Sequence, residues 1–462
     1  MEKKVPPQTG DKLMPIVMFT LVLSSMSVLM FNFILPEISE AFNLTTAQVS
    51  WVTSSYAFIY GIGTVVYGKL ADRYKLKNLL TFGLLFFAFG SLIGLVSQTF
   101  SMVLVGRCLQ AIGAAVIPAT AMLIPVIYFS PERRGSATAM AFVGLSIGSA
   151  LGPVISAFIV SVANWRWLFC IPLFLLITLP FYRKNLSDEQ RAQGNLDWIG
   201  ASLLAASVTF LLIGVTNGKW LFLIFTLVAI VLFIRRIRSV SDPFVPPELF
   251  KNKRYTIGLT IAFLSSGIGF SLYFLIPLLL SRVHHLEPNL IGMVMVPAAA
   301  ASAILGRIGG MLADRKGNSS LFFMASGLLL TCFILISTFT GISLVYIATF
   351  LIFGNVGQTF MMIALSNSVS MTMQRRQAGV GMGLLTMLNF IAGGMASGIY
   401  GKVVDLGSGV HWNPANIYPK SFIYSNIFLV LAALHVGIFI FYYFLFGRRD
   451  RSNTESLNEK LL

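Results

Sequence analysis

Charged side chains are scarce in this sequence, and the few that interrupt its long apolar runs are the ones able to do chemistry. Arg107 is the sharpest case, standing in Val105-Gly106-Arg107-Cys108-Leu109-Gln110, with Gln110 one turn along on the same helical face. An arginine at membrane depth costs roughly 2.5–3.5 kcal/mol to insert, so it is expected to face a cavity or a partner. The alternative is a long side chain that snorkels to the interface. A second set is Gly68-Lys69-Leu70-Ala71-Asp72-Arg73, echoed by Gly310-Met311-Leu312-Ala313-Asp314-Arg315. Opposite charges in so short a loop can pair with each other, with helix ends or with the other copy, which makes Asp72, Arg73, Asp314 and Arg315 candidate gating residues. Gly63 to Leu70 nearly spells a phosphate-binding loop, but Leu70 stands where a hydroxyl is required and no strand precedes it, so no nucleotide site is expected.

Titratable groups for carrying a proton are few. Of 17 Asp and Glu, none falls clearly at the middle of an apolar run. Asp197 opens one, and His435 is the one intramembrane side chain whose ordinary pKa is near neutrality, although a lone histidine on an apolar helix is more often structural. Asn32, Asn355, Gln358, Asn367 and Asn389 add uncharged polar groups suited to solute hydrogen bonds or helix contacts. Gly144, Gly148 and Gly152, followed by Pro153, give one smooth helix face with a potential bend. The three cysteines have no metal-ligand spacing, and neither a metal nor a cofactor is expected.

The elements that must position these groups are membrane helices. With 462 residues, 56% hydrophobic and 11% charged, and a mean hydropathy of +0.81, the chain has more apolar surface than a soluble core could hide. Fourteen apolar runs stand near 13–35, 49–70, 78–98, 102–129, 136–162, 165–182, 197–216, 220–234, 256–281, 290–312, 320–340, 343–368, 379–401 and 422–446. Of 33 basic residues, 26 fall in the tails and one alternate set of loops, against 5 in the opposite loops, which places both termini in the cytoplasm. The net charge of +16 therefore reads as topology and not as nucleic-acid binding. Trp165-Arg166-Trp167 reads as an outer interfacial anchor.

Shifting the sequence by 242 positions superposes Asp72 on Asp314, Arg133-Arg134 on Arg375-Arg376 and Gly152 on Gly394. Such an internal repeat divides the chain into an N-terminal six-helix bundle (1–190), two extra helices with a basic, Pro-rich loop (191–255), a C-terminal six-helix bundle (256–446) and a cytoplasmic tail (447–462). The loop from Arg235 to Arg254 reads as a surface connection against anionic headgroups.

Together these motifs resemble the major facilitator superfamily, specifically its fourteen-helix drug/proton antiporters, and within them the Gram-positive tetracycline efflux proteins. The likeness covers essentially the whole chain, through Gly68 to Arg73, Arg107 with Gln110 and Gly113, Gly148 to Pro153, Asn32 before Leu35-Pro36-Glu37, and Asp242-Pro243-Phe244. The resemblance implies an all-α integral membrane fold in the bacterial plasma membrane, acting as a monomer. Its function would be export of amphipathic, drug-like solutes in exchange for protons by alternating access. It also implies a gating role for Asp72 and Arg73, proton transfer or substrate binding at Arg107, shaping of helix five by Gly152 and Pro153, and functional acids at Asp197 and Asp314. Arg107, Gln110, Asn32 and Asn389 are the cavity candidates, with Asp197 and His435 as coupling candidates. The chain departs from the pattern at Lys75, a usual glycine, and at Val28 and Gly393, where those exporters carry carboxylates. These departures favour, as alternatives, a dedicated metabolite exporter or a uniporter. A membrane sensor is the remaining class, though no loop is long enough to fold alone.

Overall fold

A computed structural model of the chain describes residues 7–31, 34–44, 49, 51–71, 73–186, 197–217, 219–286, 288–374, 377–407 and 409–444. Among these residues every regular element is helical. That is the demand of an apolar surrounding, where a helix satisfies its own backbone within one segment. The long segments are α1 (Pro7–Met30), α2 (Trp51–Ala71), α3 (Leu76–Leu95), α4 (Phe100–Tyr128), α5 (Arg134–Val162), α6 (Trp165–Asn185) and α7 (Trp198–Asn217). They continue as α8 (Trp220–Ser239), α9 (Lys253–Arg282), α10 (Pro288–Lys316), α11 (Asn318–Thr338), α12 (Leu344–Ser370), α13 (Ala378–Leu406) and α14 (Phe422–Tyr442). Helix thus occurs at each of the fourteen apolar runs. Among the described residues, eleven of these segments are long and apolar enough to cross a membrane.

Packing follows the repeat. In the first half α1 lies along α5 and α3 lies against α4 and α6, while in the second half α12 lies against α10 and α11, and α14 lies against α11. The halves meet chiefly along two helix pairs, α5 with α10 and α2 with α13, with lesser contact of α12 with α5 and of α13 with α4. The 242-residue shift carries α2 onto α10 and α5 onto α13, so these two junctions are copies of one another. Between the halves α7 pairs with α8 and leans on α13, while α8 stays outermost with most of its apolar side chains exposed.

Local departures from regular helix have visible causes. The first 13 residues of α6, Trp165–Ile177, are wound as a 3-10 helix with Pro172 inside. A 3-10 helix rises about 2.0 Å per residue, so this stretch covers more depth per residue than an α-helix would. Trp165 is not a lipid-facing anchor as its sequence context suggested. It is buried beside Met30, Phe31 and Phe169, and only Trp167 is exposed. Arg166 sits over the Trp165 ring, 4.5 Å from its centroid, and donates from Nε to the Ser97 carbonyl at 2.6 Å, which anchors the start of α6 to the end of α3.

Candidate functional site

Arg107 on α4 is completely buried, which removes the snorkelling alternative. Its guanidinium lies between two aromatic faces, with Cζ 4.2 Å from the Phe31 centroid and 4.0 Å from that of Tyr56. Nε donates to the Val52 carbonyl at 3.2 Å and Nη1 to Gln110 Oε1 at 2.9 Å, and Gln110 Nε2 donates to Ser91 Oγ at 2.8 Å. No carboxylate contacts the arginine among the described residues. Stacking and neutral acceptors hold it, an arrangement worth about 2 kcal/mol per ring when water is excluded. Nη2 of Arg107, the Tyr56 hydroxyl and the Ser24 and Ser27 hydroxyls are buried with no hydrogen-bond partner among the described residues. Orphan polar atoms gathered around one cation are where the polar groups of a solute or of water would bind.

An aromatic path leads from this arginine to the other half of the molecule. Tyr56 stacks on Tyr60, with centroids 5.7 Å apart, and Tyr60 meets Phe390 of α13 edge-on at 4.8 Å. Next to Phe390, Asn389 accepts a hydrogen bond from Ser266 of α9 at 2.8 Å. The structure therefore joins Arg107 and Gln110 directly and links them through Tyr56, Tyr60 and Phe390 to the helix turn that carries Asn389. Tyr56 and Tyr60 were visible in the sequence as an i, i+4 pair on one helix face, but nothing there pointed them at Arg107. Asn32 lies outside the described residues.

At the end of the molecule rich in basic residues the halves are pressed together. Asp314, near the end of α10, accepts the backbone N–H groups of Gly135 at 2.7 Å and Ser136 at 2.9 Å, and also the Ser136 hydroxyl. These donors are the unpaired amides of the first turn of α5, and the positive end of that helix favours a carboxylate there. Close approach is possible because the facing residues are glycines: a Cβ on Gly310 would lie 2.7 Å from the Gly135 carbonyl oxygen. In the other junction a Cβ on Gly68 would collide with the Gly379 carbonyl of α13. Arg73 pairs with Asp242 of the linker, and Lys69 donates to Asp242 at 3.3 Å and to the Pro243 carbonyl at 2.9 Å. The linker is thus fastened to the end of α2, a contact the reading of it as a plain surface connection had not foreseen. Arg315 is exposed, and Asp72 lies outside the described residues.

Asp197 is placed away from Arg107. It precedes α7 and accepts from the Gly200 N–H at 3.0 Å, Arg236 Nε at 3.0 Å and the Phe244 N–H at 3.3 Å. Burial works to raise its pKa, but those hydrogen bonds and the Arg236 charge outweigh it and hold the carboxyl below the ordinary carboxylate range. His435 is buried in α14, edge-on to Phe333 at 6.3 Å, with neither ring nitrogen paired among the described residues. Gly148 and Gly152 bring α5 against α1. A Cβ on Gly148 would strike the Val22 carbonyl and Ser25 hydroxyl, and Ser156 donates to the Met30 carbonyl at 3.0 Å. Pro153 belongs to the same helix. Where a carboxylate was expected at Gly393, a Cβ would sit 2.9 Å from the Phe270 ring, which occupies the space such a side chain would need.

A two-fold repeated helical bundle, a membrane-buried arginine and a glycine-lined junction sealed by an aspartate are accompanied by a direct match in sequence. The profile of the Major Facilitator Superfamily matches residues 17–397. The chain belongs to the Major Facilitator Superfamily. It is a multi-pass membrane transporter and not an enzyme. This facilitator is 30% identical over 294 residues, 60% of its length, to multidrug resistance protein 3 of Bacillus subtilis, and the match spans 57% of that relative. It is 28% identical to the lincomycin resistance protein LmrB of Listeria monocytogenes, over 68% of this chain and 70% of that protein. It is 26% identical to the riboflavin transporter RibZ of Clostridioides difficile, over 66% of this chain and 68% of the relative. In fold it is similar to the crystal structure of the human organic anion transporter MFSD10 (TETRAN), with a TM-score of 0.67 at 17% identity, covering 92% of this chain and 99% of that one.

Proposed function

We propose that this facilitator exports amphipathic organic solutes across the bacterial plasma membrane in exchange for protons. It would work by alternating access between the bundles 1–190 and 256–446, with 191–255 as a two-helix insert, fourteen spans in all, and both termini in the cytoplasm. The observation that carries the reading is the paired junction of α5 with α10 and α2 with α13. Both junctions close the basic end, and they are copies under the internal repeat, so opening that end requires the two bundles to rock apart as bodies. Asp314 holds one junction, and the repeat gives Asp72 the same task at the start of α13. Arg73 and Lys69 tie the linker into the closed state, and Arg315 lies beside the Asp314 latch. Arg107, Gln110 and Asn389 would line the solute path, with Asn32 a further candidate from the sequence alone. The relatives named for multidrug and lincomycin resistance support export of drug-like solutes.

A second reading, a dedicated metabolite exporter or uniporter, is favoured by one observation. The tetracycline-exporter carboxylates are replaced by Val28 and Gly393, and Phe270 fills the space at Gly393. The relative named as a riboflavin transporter gives that reading a chemical precedent. His435 and Asp197 are the remaining proton candidates, and proton transfer through Asp197 would require breaking the three bonds that fasten it. The test is transport in proteoliposomes loaded with a pH-sensitive dye and supplied with lincomycin, tetracycline, ethidium or riboflavin. Proton antiport predicts dye acidification or alkalinisation that tracks solute flux. Flux unchanged when the proton gradient is collapsed decides for the second reading.

A further inference from the structure

Between the insert and the second half lies a crevice of about 840 Å³ that the transport path does not use. Its walls are apolar and come from three helices: Leu204 and Val208 of α7, Phe233 and Ile234 of α8, and Leu388 and Ile391 of α13. Its rim at the basic end carries two cations, Arg238 from the end of α8 and Lys251 from the short linker helix Glu248–Lys251. Both are exposed and neither has an ion-pair or hydrogen-bond partner among the described residues. Among the described residues, no acidic residue lines the crevice.

From this placement we infer that the crevice is a binding site for one anionic phospholipid of the leaflet at the basic end, with its phosphate on Arg238 and Lys251 and its acyl chains along α7, α8 and α13. Three features select this occupant. The crevice is bounded by α8, whose outer side is a continuous exposed apolar surface including Leu227, Val228 and Val231, so a ligand reaches it from the bilayer. The long apolar interior matches hydrocarbon, and two unneutralised cations at one end match a phosphate. Basic pockets between membrane helices at this leaflet are the setting in which acidic headgroups bind selectively. A cationic drug would meet the same two charges as repulsion. A lipid here would bridge the insert and α13, and so would join the insert to the helix that forms the α2 junction.

Native mass spectrometry of the full chain in detergent, with equal amounts of phosphatidylglycerol and phosphatidylcholine, tests the inference. The expected result is one phosphatidylglycerol retained per chain, preferred over phosphatidylcholine by roughly tenfold or more. The double variant Arg238→Gln/Lys251→Gln should bring the two lipids to parity. The control Lys253→Gln/Arg254→Gln, which removes equal charge outside the crevice, should keep the preference. Filling the crevice with Ser207→Trp should remove retention of either lipid, whereas Val228→Trp on the outer side of α8 should not. Undiminished phosphatidylglycerol preference in the Arg238/Lys251 variant overturns the inference. So does displacement of the lipid by lincomycin or ethidium, which would make the crevice a drug site. If Ser207→Trp does not fold, the paired charge variants decide the question.

Discussion

At the scale of single residues the chemistry concentrates in Arg107. A positive charge held by two rings and three neutral acceptors, the Val52 and Ser27 carbonyls and Gln110, has no fixed counter-ion among the described residues, so it stays available to a solute or to a proton carrier. Arg107→Ala is therefore expected to abolish flux of ethidium or lincomycin in proteoliposomes while membrane abundance is unchanged. Arg107→Lys keeps the charge but loses the planar stack and the fork, and should leave less than about a tenth of wild-type flux. Full flux in either variant would return the residue to a packing role. Asp314→Asn removes the charge from a carboxylate that accepts three hydrogen bonds at a helix start, at a cost of about 1.5–3 kcal/mol. That shift weakens the closed basic end by roughly ten- to hundredfold, measurable as faster alkylation of an engineered cysteine at Ala139. Arg107 was legible in sequence because an arginine in an apolar run is costly. The rings of Phe31 and Tyr56 around it, and Ser91 behind Gln110, were not, because aromatic and hydroxyl residues are ordinary in membrane helices.

At the scale of elements, small residues decide which helices touch. The stripe on α5 was legible as a packing face, and the structure shows α1 as the helix it receives, with the Gly148 face against the Val22 carbonyl. Gly148→Val should cost about 1–3 kcal/mol by overpacking and lower the unfolding temperature of the purified protein. An unchanged melting curve would mean that α1 and α5 separate more easily than their contact implies. The insert is held by a different device. Asp197 gathers the start of α7, Arg236 of α8 and Phe244 of the linker. Because its folded pKa is depressed, the stability it adds is fully present above its ordinary pKa of about 4 and is lost as pH falls below that. The gap in melting temperature between wild type and Asp197→Asn should be largest above about pH 4 and close on further acidification. A gap independent of pH would show that the carboxylate is not the fastening group. This clasp was hidden in the sequence, since two of its donors are backbone amides and the third is an arginine in the last turn of α8, within a basic cluster that already has a topological explanation.

For the whole molecule, the internal repeat, the helix positions and the basic asymmetry could be read directly, because hydropathy marks each helix and the 242-residue shift carries α1 to α5 onto α9 to α13. The closed state could not, because it rests on glycine carbonyls and helix-end amides meeting across the two halves, contacts that carry no compositional signature. Under the proposed alternating access, transport requires the basic end to open by separation of α5 from α10 and α2 from α13. The most direct measurement uses a chain with Cys108, Cys170 and Cys332 replaced by alanine and with cysteines introduced at Val143 and Gly306, which face each other across the α5 and α10 junction, where a Cβ on Gly306 would lie 2.8 Å from Val143. Ethidium, lincomycin or riboflavin flux is then followed in proteoliposomes before and after oxidation. The disulfide is expected to abolish flux, and a reductant to restore it. Flux that continues at its reduced rate with the junction locked would contradict it.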